Sequence, residues 1–383
     1  MKILYTVPYY PAHKHQGFID EISVLLEKGY DVEIAPIWKS YIRQGNDDLK
    51  VPVIYNPNIF TFKKFVISLF IMVFNPNYTH KFILFSKKYL GYQESILTLS
   101  LLKNIEKSNP DHIHAFFANN AALKSLLIAR FLKIRFSCSG RGTDVLIKRI
   151  PHFKFLVNNS RPFFTLSRYN KEQISKISGI NKENIKVIHH GIRVDKVTPS
   201  PKVPLSRPLK IVSTTWLRKV KGVKYLVDAC ALLRKKNIDF QCYIIGDGAL
   251  KKEINKQINE MQLQKQVILI GSLPHNDVLT FLKNCHIFVL PSLSEGIAIA
   301  AMEAMALGLP TIVTNITGMP ELVENEVNGL LVPPENPIAI AEAVEKLYND
   351  QDLQKKITKN GIQTIHDKFN IRTNINEFLN EIG

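Results

Sequence analysis

The pattern of apolar and polar residues over the first forty positions predicts a strand, a helix and a second strand. Residues 3–7 form a short apolar run that ends at Pro8, as expected of a buried parallel strand. Apolar residues then recur at the spacing of one helix face, at Phe18, Ile22, Leu25 and Leu26. Gly29 stands where a helix usually ends, and residues 31–36 supply the next strand. This segment therefore predicts one β-α-β unit.

The same alternation recurs along the chain. Residues 111–117 and 134–139 are predicted to be strands on either side of a helix over 121–132. In the second half, further strands are predicted over 210–213, 238–245, 266–270, 286–290 and 311–314. Strands that alternate with segments of helical length are typical of parallel sheets covered on both faces. The predicted fold class is therefore α/β.

A proline-rich segment divides the chain into two parts of similar length. Residues 198–208 contain four prolines, which neither a helix nor a central strand accommodates. We therefore predict an N-terminal domain over 1–197, a linker over 198–208 and a C-terminal domain over 209–366. A C-terminal helix over about 367–383 is expected to pack back on the first domain.

Residues 65–74 form an unusually apolar stretch with lysines on both sides. The stretch is too short to span a bilayer, which takes about 20 residues. Two interpretations remain open. The segment is either a buried helix of the first domain, or a helix that lies in a membrane interface with its lysines at anionic headgroups.

The charge of the chain is uneven. The sequence has 50 Lys+Arg against 33 Asp+Glu, and 29 of those basic and 14 of those acidic residues lie in 1–200. A basic half beside a nearly neutral half indicates an anionic partner, a nucleic acid or a membrane, unless the lysines only reflect composition. The four cysteines form no CxxC pair, so reduced thiols in a cytoplasmic protein are expected. The first eight residues do not resemble a signal peptide.

The segment from Leu290 to Pro310 carries the most specific chemistry. A predicted strand ends at Leu290, a turn with serine and glycine follows, and a helix is predicted over about 299–307. The helix N-terminus then lies at the carboxyl edge of a parallel sheet, where backbone N–H groups bind anions and hydroxyls. Glu295 and Glu303 lie within about 80° of each other on a helix, so both can border one site. Two acceptors with N–H donors between them suit a polyhydroxylated ligand.

This segment resembles the E-x7-E motif of retaining GT-B glycosyltransferases of family four. Residues 318–323 and 328–332 resemble the GGxPE and NGxL segments of that family, and 244–248 and 271–274 match further landmarks. The first domain is most similar to the colanic-acid and exopolysaccharide branch. The resemblance implies a GT-B fold, in which two Rossmann-like domains with parallel sheets face each other across a cleft.

The resemblance also implies a donor site in the second domain. Glu303 is expected to hold the ribose of a nucleotide-sugar and Glu295 the sugar hydroxyls, while Lys221 and Arg218 bind the diphosphate. Relatives commonly have arginine at the position of Trp216, so Arg218 either replaces that residue or faces solvent. The remaining donor-binding residues implied are Gly17, Trp216, Gly246, Leu273, Pro274, Gly296, Ile297, Ala298 and Ile299.

Arg141 stands in the first domain where relatives often have a histidine close to the reacting sugar. An arginine stays cationic, so it cannot act as a general base but can stabilise the leaving phosphate. The alternative is an ion pair with Asp144 that shapes the loop. Arg141, Arg218, Lys221 and Glu295 form the expected catalytic set. The acceptor-side residues implied are His15, Gln16, Asn119 and Asp144, and the histidines interpreted as structural are His112, His114, His189 and His190.

The resemblance implies a retaining transfer of sugar from a nucleotide-sugar to a hydroxyl of a glycan or polyprenyl-linked glycan, in surface polysaccharide biosynthesis. The leaving phosphate would take the acceptor proton. No DxD motif stands in the expected place, so neither a metal nor a cofactor is expected. The enzyme is expected in the cytoplasm, peripherally bound to an anionic membrane at its inner face.

Two alternatives remain open, a nucleotide-sugar epimerase of the same architecture and a non-enzymatic basic protein that binds polyanions. A dinucleotide-dependent dehydrogenase is disfavoured, because no G-x-G-x-x-G follows the first strand of either half. Nucleic acid is not an expected partner, because the chain has no recognised module for binding it.

Overall fold

The computed structural model describes residues 1–10, 16–38, 49, 51–54, 61–146, 149–199 and 208–383. The chain divides into two compact units, unit 1 (Met1–Ile188 with Ile375–Gly383) and unit 2 (His189–Asn374). Residues 200–207 of the predicted linker, and the predicted site residue His15, lie outside the described residues.

Unit 1 contains one sheet with helices on both sides. Its strands are β1 (Lys2–Val7), β2 (Asp31–Pro36), β3 (His112–Ala115), β4 (Arg135–Gly140), β5 (Phe163–Thr165) and β6 (Ile185–Val187). Its helices are α1 (Gln16–Glu27), α2 (Thr61–Phe74), α3 (Pro76–Leu90), α4 (Tyr92–Ser108), α5 (Asn120–Leu132), α6 (Thr143–Leu146), α7 (Phe153–Asn159) and α8 (Arg168–Ser178). The six strands pair in the order β2-β1-β3-β4-β5-β6, and every pair is parallel.

Unit 2 repeats this plan. Its strands are β7 (Leu209–Thr214), β8 (Phe240–Ile245), β9 (Val267–Gly271), β10 (Ile287–Leu290), β11 (Thr311–Thr314) and β12 (Leu330–Val332). Its helices are α9 (Val223–Lys235), α10 (Lys251–Glu260), α11 (His275–Leu282), α12 (Ile299–Ala306), α13 (Met319–Leu322), α14 (Pro337–Asn349) and α15 (Gln351–Lys368). The strands pair in the order β12-β11-β10-β7-β8-β9, again all parallel. The last helix, α16 (Ile371–Ile382), begins in unit 2 and ends in unit 1.

The two parallel sheets confirm the predicted α/β class. In unit 2, Ile211 belongs to an apolar cluster with helices α9 and α14, whereas Val212 belongs to a second cluster with α12. Successive side chains of a strand point to opposite faces, so helices cover both faces of the sheet. This burial explains why the strands are continuous apolar runs and not alternating ones.

The apolar segment 65–74 lies in helix α2, which is followed by α3, and both helices pack against α4. Leu69, Phe70, Val73 and Phe74 are exposed on α2, Phe70 at 63% and Phe74 at 65%. Lys81, Lys87 and Lys88 are exposed on α3. Of the two interpretations, a buried helix does not describe these four side chains of α2, which have no protein cover among the described residues. We name these seven exposed residues the α2–α3 surface.

Among the described residues, none of the helices combines the length and the apolar character that crossing a membrane requires.

Candidate functional site

The turn after β10 leads directly into α12, as the sequence predicts. Helix α12 begins at Ile299 with Ala298 as its N-cap, and within the described part of the chain no side chain caps its first turn. The first N–H groups of a helix lack intrahelical partners and carry the positive end of its dipole. The amides of residues 296–299 are therefore suited to bind an anion or hydroxyl groups.

Glu295 is held firmly in this turn. Its Oε1 accepts a hydrogen bond from Lys221 Nζ at 2.6 Å and from Ser292 Oγ at 2.8 Å. Its backbone N–H donates to Thr317 Oγ1 at 3.3 Å, and the Thr317 hydroxyl donates to its carbonyl oxygen. The first glutamate of the motif thus pairs with the lysine that sequence reasoning assigned to the diphosphate.

Glycines bring the turns of three strands together. Gly222 ends the turn that carries Lys221, with φ of +61°, and a Cβ there would lie 2.0 Å from the carbonyl oxygen of Pro291. Gly246, after β8, has φ of +139°, and its Cβ would lie 1.8 Å from the carbonyl oxygen of Thr215. Only glycine permits these approaches, which place the ends of β7, β8 and β10 side by side.

Glu303 lies on α12 with only 8% of its side chain exposed. Its Oε1 lies 2.6 Å from Nε2 of His275, the first residue of α11. Leu273 is partly buried against the apolar cluster beneath α12, and Pro274 caps α11. Both glutamates of the motif therefore lie in unit 2, each with a basic partner.

Arg218 does not share the environment of Lys221. Its guanidinium lies over the ring of Trp216, 5.4 Å from the ring centre, and the Trp216 side chain is 58% exposed. The structure thus places Arg218 at the surface of unit 2, stacked on Trp216.

In unit 1, Arg141 forms an ion pair with a residue that sequence reasoning missed. Its guanidinium donates to Glu21 Oε2 at 2.6 Å, and its Nε donates to the carbonyl oxygen of Phe116 at 3.1 Å. The guanidinium also lies 3.4 Å from the centre of the Phe116 ring. Tyr5 donates its hydroxyl to Glu21 Oε1 at 2.9 Å. Burial first, and the Glu21 charge second, raise the pKa of Tyr5 well above its usual range.

The alternative ion pair between the Arg141 guanidinium and Asp144 is not formed among the described residues. Asp144 accepts hydrogen bonds from the backbone N–H groups of Gly142 at 2.7 Å, Ala118 at 2.9 Å and Arg141 at 3.1 Å. The Asp144 carboxylate thus joins the loop after β4 to the loop after β3 through hydrogen bonds from backbone N–H groups. The Arg141 side chain pairs with Glu21 instead.

The other acceptor-side residues have local structural contacts. Asn119 is the N-cap of α5 and accepts from the N–H of Ala121 at 2.9 Å. Gln16 donates to Asp20 Oδ1 at 2.9 Å in the first turn of α1, where Gly17 is buried.

The histidines interpreted as structural are packed in the protein. Nε2 of His112 and Nδ1 of His114 each lie 2.7 Å from the Ser137 hydroxyl. Burial, with the Arg135 charge, lowers the pKa of His112 to about 4, and burial holds the pKa of His114 well below its usual range. Nε2 of His189 lies 3.2 Å from Oε2 of Glu321, and His190 is buried. Within the described residues, no group of three or more His, Cys, Asp or Glu side chains is placed to hold a metal ion.

Comparison with known proteins identifies the family. The family described as glycosyl transferases group 1 matches residues 200–364. The uncharacterized glycosyltransferase MJ1178 of Methanocaldococcus jannaschii is 30% identical over 293 residues, which cover 72% of this chain and 76% of that protein. The chain belongs to the group 1 glycosyl transferases. The putative colanic acid biosynthesis glycosyltransferase WcaL of Escherichia coli is 29% identical, over 59% of this chain and 57% of that protein.

The fold of this group 1 glycosyl transferase also matches solved structures. Anabaena Alr3699/HepE, crystallised in complex with UDP, superposes with a TM-score of 0.77 at 17% identity, over 99% of both chains. The likeness confirms the predicted GT-B fold.

Sequence reasoning on this group 1 glycosyl transferase singled out Arg141 and Glu303 but missed their partners, Glu21 and His275. Glu21 lies on the predicted apolar face of α1, between Phe18 and Leu25, and a carboxylate on such a face is a signal of an internal pair. His275 follows Leu273 and Pro274, but its contact with Glu303 joins two helices and has no local sequence pattern.

Proposed function

We propose that this glycosyl transferase moves a sugar from a nucleoside diphosphate sugar to a hydroxyl of a glycan or lipid-linked glycan, with retention of the anomeric configuration. The pairing of Lys221 with Glu295 beside the start of α12 carries the proposal. A diphosphate needs a cation, and sugar hydroxyls need acceptors and N–H donors, which this turn provides together. The complex of the related fold in HepE with UDP supports a nucleotide donor.

We assign the stabilisation of the negative charge on the leaving diphosphate to Lys221 and the amides of 296–299. Arg218 would be the second cation, and no metal ion would take part. The acceptor hydroxyl would lose its proton to the departing phosphate oxygen, so that no side-chain base is needed. Arg141 cannot be a base, and we assign it to charge stabilisation in the same reaction. Its guanidinium is held by Glu21 and the carbonyl oxygen of Phe116, so its orientation within unit 1 is fixed.

Calorimetric titration tests the donor site. UDP, GDP and ADP, and their sugar conjugates, are titrated into the protein with and without EDTA. We expect one nucleotide to bind, with EDTA having no effect, and E303A to weaken it. The matched control is E342A, because Glu342 is an exposed glutamate on α14 of the same unit. Equal affinities for the wild type, E303A and E342A would remove Glu303 from the site.

Product analysis tests the reaction. With the donor that binds, the anomer first formed on slow hydrolysis is read by proton NMR, and retention is expected. Epimerisation of the donor without any acceptor would favour the epimerase alternative. R141A is expected to lower turnover, because it removes a cation that would stabilise the charge of the departing phosphate.

We further propose that the acceptor belongs to surface polysaccharide synthesis and that the enzyme meets it at an anionic membrane on the cytoplasmic side. The similarity to WcaL, a putative colanic acid biosynthesis glycosyltransferase, supports the pathway class. The α2–α3 surface supports the membrane. Phe70 and Phe74 lie with ring centres 4.3 Å apart and are exposed, and residues 61–90 contain no acidic side chain. Exposed aromatic residues on one helix and exposed lysines on the next suit an interface with anionic headgroups.

Flotation with vesicles tests the membrane contact. We expect binding to vesicles of phosphatidylcholine mixed with phosphatidylglycerol, weaker binding at high salt, and none to phosphatidylcholine alone. The double variant F70S/F74S should lose binding, whereas I338S, at an exposed apolar residue of unit 2, should keep it. Equal flotation of these two variants would exclude the α2–α3 surface as the contact.

A further inference from the structure

His275 contacts the second glutamate of the motif across two helices. It is the first residue of α11, and its Nε2 lies 2.6 Å from Oε1 of Glu303 on α12. Both residues lie in unit 2. The contact therefore joins the N-terminus of one helix to a side chain on the next.

In this contact His275 donates the hydrogen bond and Glu303 accepts it. A carboxylate oxygen only accepts hydrogen bonds, so Nε2 of His275 is the donor. Glu303 is largely buried, with 8% of its side chain exposed, whereas 37% of His275 is exposed. A buried carboxylate that loses a donor carries an uncompensated desolvation cost, so this hydrogen bond matters to where Glu303 lies.

The contact also restricts the glutamate. A glutamate side chain has three rotatable bonds and would otherwise sample several rotamers. With Oε1 held by His275, the carboxylate has a fixed orientation, and Oε2 can accept a hydrogen bond from a ligand hydroxyl. A preorganised acceptor binds its ligand more tightly than one that must be ordered on binding.

We propose that His275 is a positioning residue that aligns Glu303 to recognise a ribose hydroxyl of the donor. The inference rests on the proposed function and on the expectation from the family resemblance that Glu303 holds the ribose of the donor. It goes further by assigning the discrimination between ribose and 2′-deoxyribose nucleotides to the His275–Glu303 hydrogen bond.

Matched nucleotide pairs measure this discrimination directly. UDP, GDP and ADP are each titrated beside their 2′-deoxy counterparts, and the ratio of the two dissociation constants is the readout. A hydrogen bond to a charged acceptor predicts that wild type prefers the ribose form by about tenfold or more. H275A should bring the ratio close to one, mainly by weakening the ribose form.

Two further variants separate the effect of the hydrogen-bond donor at position 275 from the effect of side-chain size. Gln and Met have similar lengths, but only glutamine has an N–H donor. H275Q should restore much of the ratio, while H275M should behave like H275A. Because His275 is partly exposed, all three substitutions are expected to fold, and H275Q against H275M remains a valid comparison if H275A does not. H366A, at an exposed histidine of α15, is the control and should leave the ratio unchanged.

The outcomes are distinct. Loss of affinity for ribose and deoxyribose forms by the same factor would mean that His275 only supports the fold, and the proposal would fail. A wild-type ratio near one would also overturn it, since Glu303 would then not contact the 2′-hydroxyl. Absence of binding by every nucleotide would instead refute the proposed function itself.

Discussion

The guanidinium of Arg141 and the carboxylate of Glu21 form a largely buried ion pair, with 2.6 Å between Nη2 and Oε2. The two residues are 120 positions apart, on the loop after β4 and on α1. Tyr5 donates to the same carboxylate, so Glu21 satisfies two donors at once. The orientation of the one cation assigned to the reaction in unit 1 therefore depends on a glutamate outside the motif.

Removal of Glu21 should destabilise unit 1 strongly. E21A leaves the Arg141 charge and the Tyr5 hydroxyl buried without their acceptor, and breaking such a pair costs about 3–5 kcal/mol of unfolding free energy. Chemical denaturation measures the loss. E21Q should lose less, because the amide oxygen still accepts a hydrogen bond.

The exposed pair of Lys346 with Glu326 provides the control. Both side chains are more than 40% exposed, so E326A should change the unfolding free energy by less than about 1 kcal/mol. A double-mutant cycle of E21A with R141A isolates the pair, and additivity of the two single changes would contradict coupling.

The pair of Lys221 with Glu295 predicts that removing one charge or the other changes nucleotide binding in opposite directions. In the free protein Glu295 balances the Lys221 charge, and a diphosphate has to compete with it. E295Q should therefore bind a nucleoside diphosphate more tightly, by about fivefold, whereas K221A should weaken it. Calorimetric titration of both variants measures the difference.

An exposed lysine of the same turn serves as the control for this prediction. K219A removes a charge next to the site but no contact with Glu295, so its effect should be smaller than that of K221A. If E295Q weakened binding as much as K221A does, Glu295 would act as support for the lysine and not as its competitor.

The predictability of each feature from sequence follows the range of the interactions that create it. Strands β7 to β11, α12 and the position of Glu295 and Glu303 depend on local apolar patterns and spacing, and all were predicted. The partner of Arg141 was not, since Asp144 is three residues away and Glu21 is brought near only by tertiary packing. The exposed side of α2 was not predictable either, because apolar residues at helical spacing do not reveal whether another element covers them.

The buried histidine His112 should make the protein less stable in acid. Its pKa is lowered to about 4 in the folded state, against about 6.5 when unfolded. Between these values the unfolded state binds more protons, so the unfolding free energy falls as the pH falls, by about 2 kcal/mol at pH 5. H112Q lacks this proton site, so the wild type should lose more stability than H112Q between pH 7 and pH 5. Equal losses would show that His112 is not kept neutral.

Asn119 should contribute to stability as a helix cap. Its side-chain oxygen accepts from Ala121 N–H at 2.9 Å, and replacing such a cap with alanine costs about 1 kcal/mol. N119A is compared with N120A, because Asn120 is exposed in the first turn of the same helix and caps nothing in the described structure. Equal unfolding free energies for the two variants would show that the Asn119 cap does not contribute to stability.

Gly222 and Gly29 separate the cost of backbone conformation from that of a close approach. Both have positive φ, +61° and +81°, but a Cβ at Gly29 has nothing within 4 Å, whereas one at Gly222 would lie 2.0 Å from the Pro291 carbonyl oxygen. G29A should therefore cost about 1–2 kcal/mol, for the left-handed conformation alone. G222A should cost more than about 3 kcal/mol, because the turns after β7 and β10 must move apart.

The same substitution should also affect the ligand. Separation of the two turns moves Lys221 away from Glu295, so G222A should weaken nucleoside diphosphate binding even at temperatures where it is folded. G29A, in unit 1, should leave that binding unchanged. If G222A retained wild-type affinity, the position of Lys221 would not depend on this close approach, and the lysine would reach the diphosphate by its own flexibility.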